Sequence, residues 1–512
     1  MQKHLLRDFT RVYHIDLHGD VNRDRTLSGT QHNVFGIMVG VGITVAVREP
    51  GHRDDDHSLF YYRVPDRWTR MQKLAWLAEL GDISKVPWQV LPPNTWLELE
   101  TAGEFKSLVP IGSKETKAAK PPTEAGAQAI FKSYTVGVLT ARDDVAYDFS
   151  RATLSARIEK FVEDYNGEVD RYRRAQQKQK KEIDVDTFVR ADLLKWTHNL
   201  KQAVTSGHYA ISEPSKFRRS LYRPFCKKWL FFDRLLNERI YLTPTLFPSE
   251  RSENIVISCT THTQMPFTCM VTDCLPNEAV GGRNGQCFSF YTYAGDENVR
   301  SENITDWALE KFRVHYADAD ISKWDIFHYV YAMLHHPSYR QHFALNLRTE
   351  IPRLPLTKDF RQCCEIGRQL KKLHLTYEQA DPCPLEWREN SSEPLSYRVT
   401  DRMLLDKDAR TIRINSSLTL AEIPSEAFQY VLGTRSALEW VVDQYRCDTD
   451  PETEFTSDPN DPADEQLIVR LIERVTAVSV STVKLLKELS SEIELVAFKT
   501  NKKAKTPEAA SS

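Results

Sequence analysis

Between Lys216 and Pro248 the chain reads KFRRSLYRPFCKKWLFFDRLLNERIYLTPTLFP. Arginine and lysine interleave with phenylalanine, tyrosine and tryptophan. Cationic side chains pair with phosphate oxygens and aromatic faces stack on bases, so the mixture suits nucleic acid. It equally describes two ordinary strands of a half-buried sheet joined by a turn around Leu236–Glu238. Spacing alone leaves both readings open.

Other chemistry is weaker. Gly36, Gly40 and Gly42 form the glycine cluster nearest a predicted strand. A phosphate or cofactor loop needs its glycines after a strand and before a helix. These lie inside an apolar run that continues through ITVAVR, which marks close backbone approach in a sheet instead. The chain has no G-x-x-x-x-G-K-[ST] and no G-x-S-x-G. His335 and His336 stand just before Pro337, where helix capping and dipole pairing are favoured over metal binding. The nine cysteines are odd in number, lack any C-x-x-C, and include the adjacent pair Cys363 and Cys364. That pattern suits reduced, mostly buried thiols rather than a disulfide framework or a zinc site.

The scaffold is a soluble, globular one: 512 residues with 41% apolar and 27% charged side chains hold more than one domain. No apolar run is long enough to span a membrane, and the N-terminus lacks a signal-peptide core, so a cytoplasmic location is expected. The net charge of −3 conceals segregation. Residues 151–250 hold 20 basic against 13 acidic side chains, and residues 331–380 hold 8 against 4. Residues 441–470 hold 2 against 9. The basic middle is able to face phosphates or to form solvated helix faces.

Periodicity predicts a helix over 1–10, a strand over 12–17 and a polar loop over 18–33. GTQHNVFGIMVGVGITVAVR follows, and 34–48 reads as a strand buried on both faces. Such a strand belongs inside a sheet, so the chain is expected to begin partway through a fold. A helix carrying Met71, Leu74, Leu77 and Leu80 stops at Gly81. Residues 113–128, with a Pro pair and little apolar bulk, read as a linker. Beyond it come a long polar helix over 150–182, whose basic run 171–181 is expected to be a solvated face, and a helix over 324–336. Pro337 opens another helix, and IPRLPL forces an extended path. Two more helices are expected over 425–446 and 464–489, then a disordered tail over 499–512. Arg435 and Glu439 stand four residues apart and are expected to pair within a helix.

Many segments in order carry a resemblance. They include VYHIDLHGDVNRD, HNVFGIMVGVGITVAVR, YTVGVLTARDDVAYDFS, LYRPFCKKWLFFD, ENITDWAL, ISKWDIFHYVYAMLHHPSYRQHFALNLRTEIPRLPL, GTRSALEWVVDQYR and SDPNDP. Over nearly its whole length, to about residue 490, the chain resembles the C-terminal part of type ISP restriction–modification enzymes. These are single polypeptides joining nuclease, helicase-like ATPase, adenine-N6 methyltransferase and target-recognition units in bacterial defence.

The resemblance implies a mixed α/β and α+β fold. Residues 1–112 would be the end of the methyltransferase domain, the last antiparallel strand pair of a Rossmann-like sheet. Residues 129–498 would be a larger target-recognition domain with a helical C-terminal part. The Asn/Asp-Pro-Pro-Tyr loop and the donor-binding motifs are missing, and LPPN at 91–94 is not a substitute. The chain alone is then expected to bind double-stranded DNA without methylating it, with no cofactor of its own. S-adenosylmethionine, ATP and Mg2+ are implied only for the complete enzyme. The alternatives are a subunit of a split methyltransferase that docks on an upstream half, or an inactive remnant. Phe35 would stack on a flipped adenine, or else be a plain core phenylalanine. Arg142, Asp143, Arg218, Arg219, Arg223, Lys227, Arg340, Arg348 and Arg353 are the candidates for DNA contact, fewer than half of them expected to touch it, and no metal-binding residue is proposed.

Overall fold

The computed structural model describes residues 5, 8–18, 32–37, 39–53, 57–65, 68–91, 101–117, 128–178, 183–263, 265–294, 299–451 and 453–492. The chain forms two compact units, Met1–Phe105 and Lys106–Ser512. Val109–Pro110 pairs antiparallel with Arg353–Leu354, so the stretch ahead of the expected linker belongs to the second unit. Residues 118–127 of that linker, the expected tail 499–512 and most of the expected helix 1–10 lie outside the described residues.

The first unit is built on a four-stranded sheet in the order Gly42–Val47, Arg11–Asp16, Ser58–Arg63, Gln89–Leu91. Arg11–Asp16 runs antiparallel to Gly42–Val47, from Arg11↔Val47 to Asp16↔Gly42, and parallel to Ser58–Arg63. The helix Arg70–Leu80 starts at a reciprocal cap between Thr69 and Gln72. Its Trp76, Leu77 and Leu80 pack with Trp68 against Ile15, Leu17 and Val64.

The predicted 34–48 strand is shorter and differently placed. It covers only Gly42–Val47 and forms the edge of the sheet, with Ile43, Val45 and Val47 each 38–41% exposed. Apolar β-branched composition reports strand preference, whereas burial depends on neighbours that local sequence does not show. Residues 33–36 form a turn, where the Phe35 amide donates to Asn33 Oδ1 at 2.9 Å and Gly36 takes φ +68°.

Among its described residues the second unit contains three four-stranded sheets beside shorter pairings. In one, the hairpin Phe217–Arg223 and Cys226–Phe231 turns at Pro224–Phe225, with buried Phe225 at φ +57°. The turn expected around Leu236–Glu238 lies beyond this hairpin. A second sheet has the order Cys269–Thr272, Val256–Thr260, Gly285–Ser289, Thr135–Val136. The helices Lys323–His335, Pro337–His342 and Arg151–Lys178 form where helical periodicity and the proline predict them. In the basic run, Arg171 is tied to buried Glu168 at 2.6 Å.

The expected helix over 425–446 is broken. Val431–Leu432 and Arg435–Ser436 form a hairpin turning at Gly433 (φ +72°), and the helix is only Ala437–Gln444. Arg435 therefore precedes the helix and pairs with Asp443 at 2.5 Å, not with Glu439. Glu439 instead closes a capping box on Ser436 and meets Lys407 at 2.9 Å. The last described helix is Leu467–Glu492, near the expected 464–489. All nine cysteines are free thiols, six of them buried.

Candidate nucleic-acid interface

A buried guanidinium must replace its lost water with acceptors. Arg142, 1% exposed, donates to Leu236 O and, at 2.9 Å, to Thr197 Oγ1. Burial pulls its pKa down to about 10. Arg218 is buried on the carbonyls of Phe247 (3.2 Å) and Ser249. Arg353 donates to Lys106 O at 3.2 Å and Leu108 O at 3.4 Å. These three candidates tie loops together through their guanidinium groups. Arg142 lies inside the fold, and its partners are backbone and hydroxyl groups far away in sequence.

Four more candidates meet in two ionic clusters. Asp143 lies 3.7 Å from Arg223 and accepts from the Tyr222 hydroxyl at 3.0 Å, while Arg223 also donates to Asn277 Oδ1 at 3.1 Å. Burial, then the Asp143 charge, pushes the Tyr222 hydroxyl well above its ordinary pKa. Arg219 and Lys227 share Glu378, at 3.9 and 3.4 Å, and Lys227 also meets Asp273 at 3.2 Å. The carboxylates largely spend these charges within the protein. The aromatic–basic run is thus chiefly a half-buried hairpin, its Arg219 lying over Trp229 at 5.4 Å.

Arg340 and Arg348 come together on one cavity of about 380 Å³, lined also by Phe267, Gln341, Gln429 and Tyr430. Arg340 lies 5.5 Å over the Phe267 ring and donates to the Phe267 carbonyl. The Tyr430 hydroxyl is buried and has no hydrogen-bond partner among the described residues. Loops extend this edge. The Thr263 amide donates to Arg348 O at 2.9 Å, and Asn284 Nδ2 donates to His262 O at 3.0 Å. A Cβ built on Gly433 would stand 3.0 Å from Thr268 Oγ1 and 3.8 Å from Gly281 O. The described residues of the segments 262–268, 279–284, 337–349 and 429–433 are therefore neighbours. They also display an exposed arginine that sequence reasoning missed, Arg283. Its signal was the GGRNG run, three glycines and an asparagine around one arginine.

Phe35 is 72% exposed, which excludes the core alternative. Asn33 holds its turn from below, donating to Val39 O at 2.7 Å. His336 caps two helices in turn, as expected. His335 makes no cationic dipole contact, because burial pulls its pKa down to about 3 and its Nδ1 bonds Tyr331 O at 2.8 Å. Among the described residues no group of three His, Cys, Asp or Glu side chains could hold a metal ion, and no helix is long and apolar enough to cross a membrane.

Fold and edge together define a mixed α/β protein that presents basic, amide and aromatic side chains from converging loops. The profile of the Type ISP C-terminal specificity domain matches residues 129–473. The chain belongs to this family. A search of the curated proteins finds no match. Among solved structures, the chain is similar to the DrdV–DNA complex solved by cryo-electron microscopy (TM-score 0.74, 31% identity), over 96% of this chain and 48% of that one. It is also similar to a nuclease-deletion mutant of the Type ISP restriction–modification enzyme LlaGI in complex with a DNA substrate mimic (TM-score 0.71, 28% identity, 96% and 37%). A third is the ATP-dependent Type ISP restriction–modification enzyme LlaBIII bound to DNA (TM-score 0.73, 25% identity, 96% and 31%). The chain spans less than half the length of each.

Proposed function

We propose that this chain recognises a specific short sequence of double-stranded DNA, as the specificity portion of a Type ISP restriction–modification enzyme acting in the cytoplasm. The observation that carries this reading is similarity over 96% of the chain to three enzymes whose structures contain DNA. The edge formed by Arg283, Arg340, Arg348 and their amide neighbours supports it, since such side chains pair with phosphates and base edges. Arg219, Arg223, Lys227 and Asp143 would act by shaping the fold around that edge.

On this reading the first unit is the end of a Rossmann-like adenine-N6 methyltransferase sheet, and Phe35 stacks on the adenine turned out of the duplex. Its exposure at the rim of a held turn supports that role. S-adenosylmethionine, ATP and Mg2+ would serve the complete enzyme. Gly42 does not fit a close approach by the methyl donor. A Cβ on Gly42 would meet the His14 ring at 2.7 Å and Ile15 O at 2.9 Å, so the place is filled by the protein's own atoms. The purified chain should then bind duplex DNA and add no methyl group when given S-adenosylmethionine. Methylated adenine in that assay would overturn the second half of the claim.

The exposed row Ile43, Val45 and Val47 favours a second reading, in which the strand Gly42–Val47 continues its sheet through a separate polypeptide carrying the donor site. An edge strand with an apolar face is a template for strand addition. Co-expression with a methyltransferase half would then restore activity that neither part has alone.

A further inference from the structure

We infer that Arg283 reads a base edge in the major groove, with a guanine as its partner. The inference rests on the DNA-recognition reading and names a residue that decides sequence. Arg283 sits between two backbone positions of unusual conformation. Gly282 takes φ +127°, which only glycine adopts comfortably, and Asn284 takes φ +55°. Gly281 has no room for a side chain, since a Cβ there would stand 2.7 Å from Thr268 Cβ and 2.8 Å from Thr260 Cγ2.

The loop is nevertheless held firmly. Glu278 accepts the Asn284 amide at 2.8 Å, Asn284 Nδ2 reaches His262 O at 3.0 Å, and the Gly282 and Gly285 amides bond Ala279 O and Glu278 O at 3.0 and 2.8 Å. A solubilising arginine needs none of this. Yet the side chain at the centre of the device is exposed and makes no ion pair among the described residues.

Seven of the eight candidate arginines and lysines are committed to carbonyls or carboxylates. Arg283 keeps its full fork of donors, on a backbone ordered before any partner arrives. That fork matches the paired acceptors O6 and N7 of guanine. Arg348, on the adjoining helix Ala344–Thr349, borders the cavity beside it and has the simpler task of neutralising a phosphate.

The test is selection from a randomised duplex library with the whole chain, the Arg283→Ala and Arg283→Lys variants, and Arg348→Ala, followed by binding of the selected duplex over a salt series. The native chain is expected to enrich a motif. Arg283→Ala should lose the preference for guanine at one position and bind the selected duplex about 10- to 100-fold more weakly, with its salt slope unchanged. Lysine should restore only part of that preference. Arg348→Ala should keep the motif and lower the salt slope by about one unit. If Arg283→Ala enriches the same motif with undiminished preference, or weakens all duplexes alike with a lower slope, the base-reading role is overturned. If the native chain enriches nothing, the DNA-recognition reading fails with it. Arg283 is exposed, so unchanged thermal unfolding of the variants will separate these outcomes from misfolding.

Discussion

Gly367 lies in the helix Phe360–Leu375, where it crosses the helix Lys323–His335. A Cβ there would stand 2.0 Å from His328 O, 2.8 Å from its carbonyl carbon and 3.2 Å from Ala332 Cβ. Carbon–oxygen contacts settle at roughly 3.3–3.6 Å, so Gly367→Ala must part the helices by about 1 Å or more. The obstacle is backbone, which cannot swing aside. Overpacking of this kind costs about 1–3 kcal/mol, and a backbone clash belongs at the upper end. Alanine returns about 1 kcal/mol through helix propensity, leaving a net loss of about 2 kcal/mol. Gly167 is the matched control. It lies mid-helix in Arg151–Lys178 with nothing within 4 Å of its added Cβ, so Gly167→Ala should gain about 0.5–1 kcal/mol. Urea unfolding followed by circular dichroism would read both as midpoint shifts of opposite sign. A Gly367→Ala chain as stable as the native one would refute the close crossing.

Arg157 and Asp148 form an ion pair at 2.6 Å with both side chains buried, so Asp148→Asn should cost roughly 3–5 kcal/mol by leaving a buried cation short of its partner. A loss under about 1 kcal/mol in urea unfolding would contradict that. Burial holds His328 at about 4 and His335 at about 3, and His374 well below its ordinary value. As pH falls from about 6.5 towards 4, the unfolded chain takes up protons that the folded one refuses, so stability is full above pH 6.5 and declines below it. A flat urea midpoint between pH 7 and 4.5 would count against these burials. Val45→Lys, on the exposed edge strand, should change stability by less than about 0.5 kcal/mol while blocking strand addition by a methyltransferase half; undiminished complementation would argue against docking there.

Elements with strong local signals were legible. Pro337 at a helix start, Gly81 at a helix stop, and the stripe of Lys323–His335 each act within a few residues. The edge position of Gly42–Val47 was not, since burial there depends on which strands lie alongside. The break at Gly433 and the hairpin turn at Pro224–Phe225 had proline or glycine signals, overridden in reading by the surrounding apolar periodicity. Of the candidate residues, Arg340 and Arg348 meet on one cavity. Arg142 illustrates why others did not. Its partners Leu236 and Thr197 lie 94 and 55 residues away, and no local pattern announces them.

The most direct test of the account is equilibrium binding of the chain, at physiological salt, to the duplex it selects from a random library and to a shuffled duplex of equal composition. Sequence recognition predicts affinity for the selected duplex tighter by about 10³-fold or more. Equal affinity for the two, falling together with salt, would mean that the chain grips phosphates alone and would contradict the central claim.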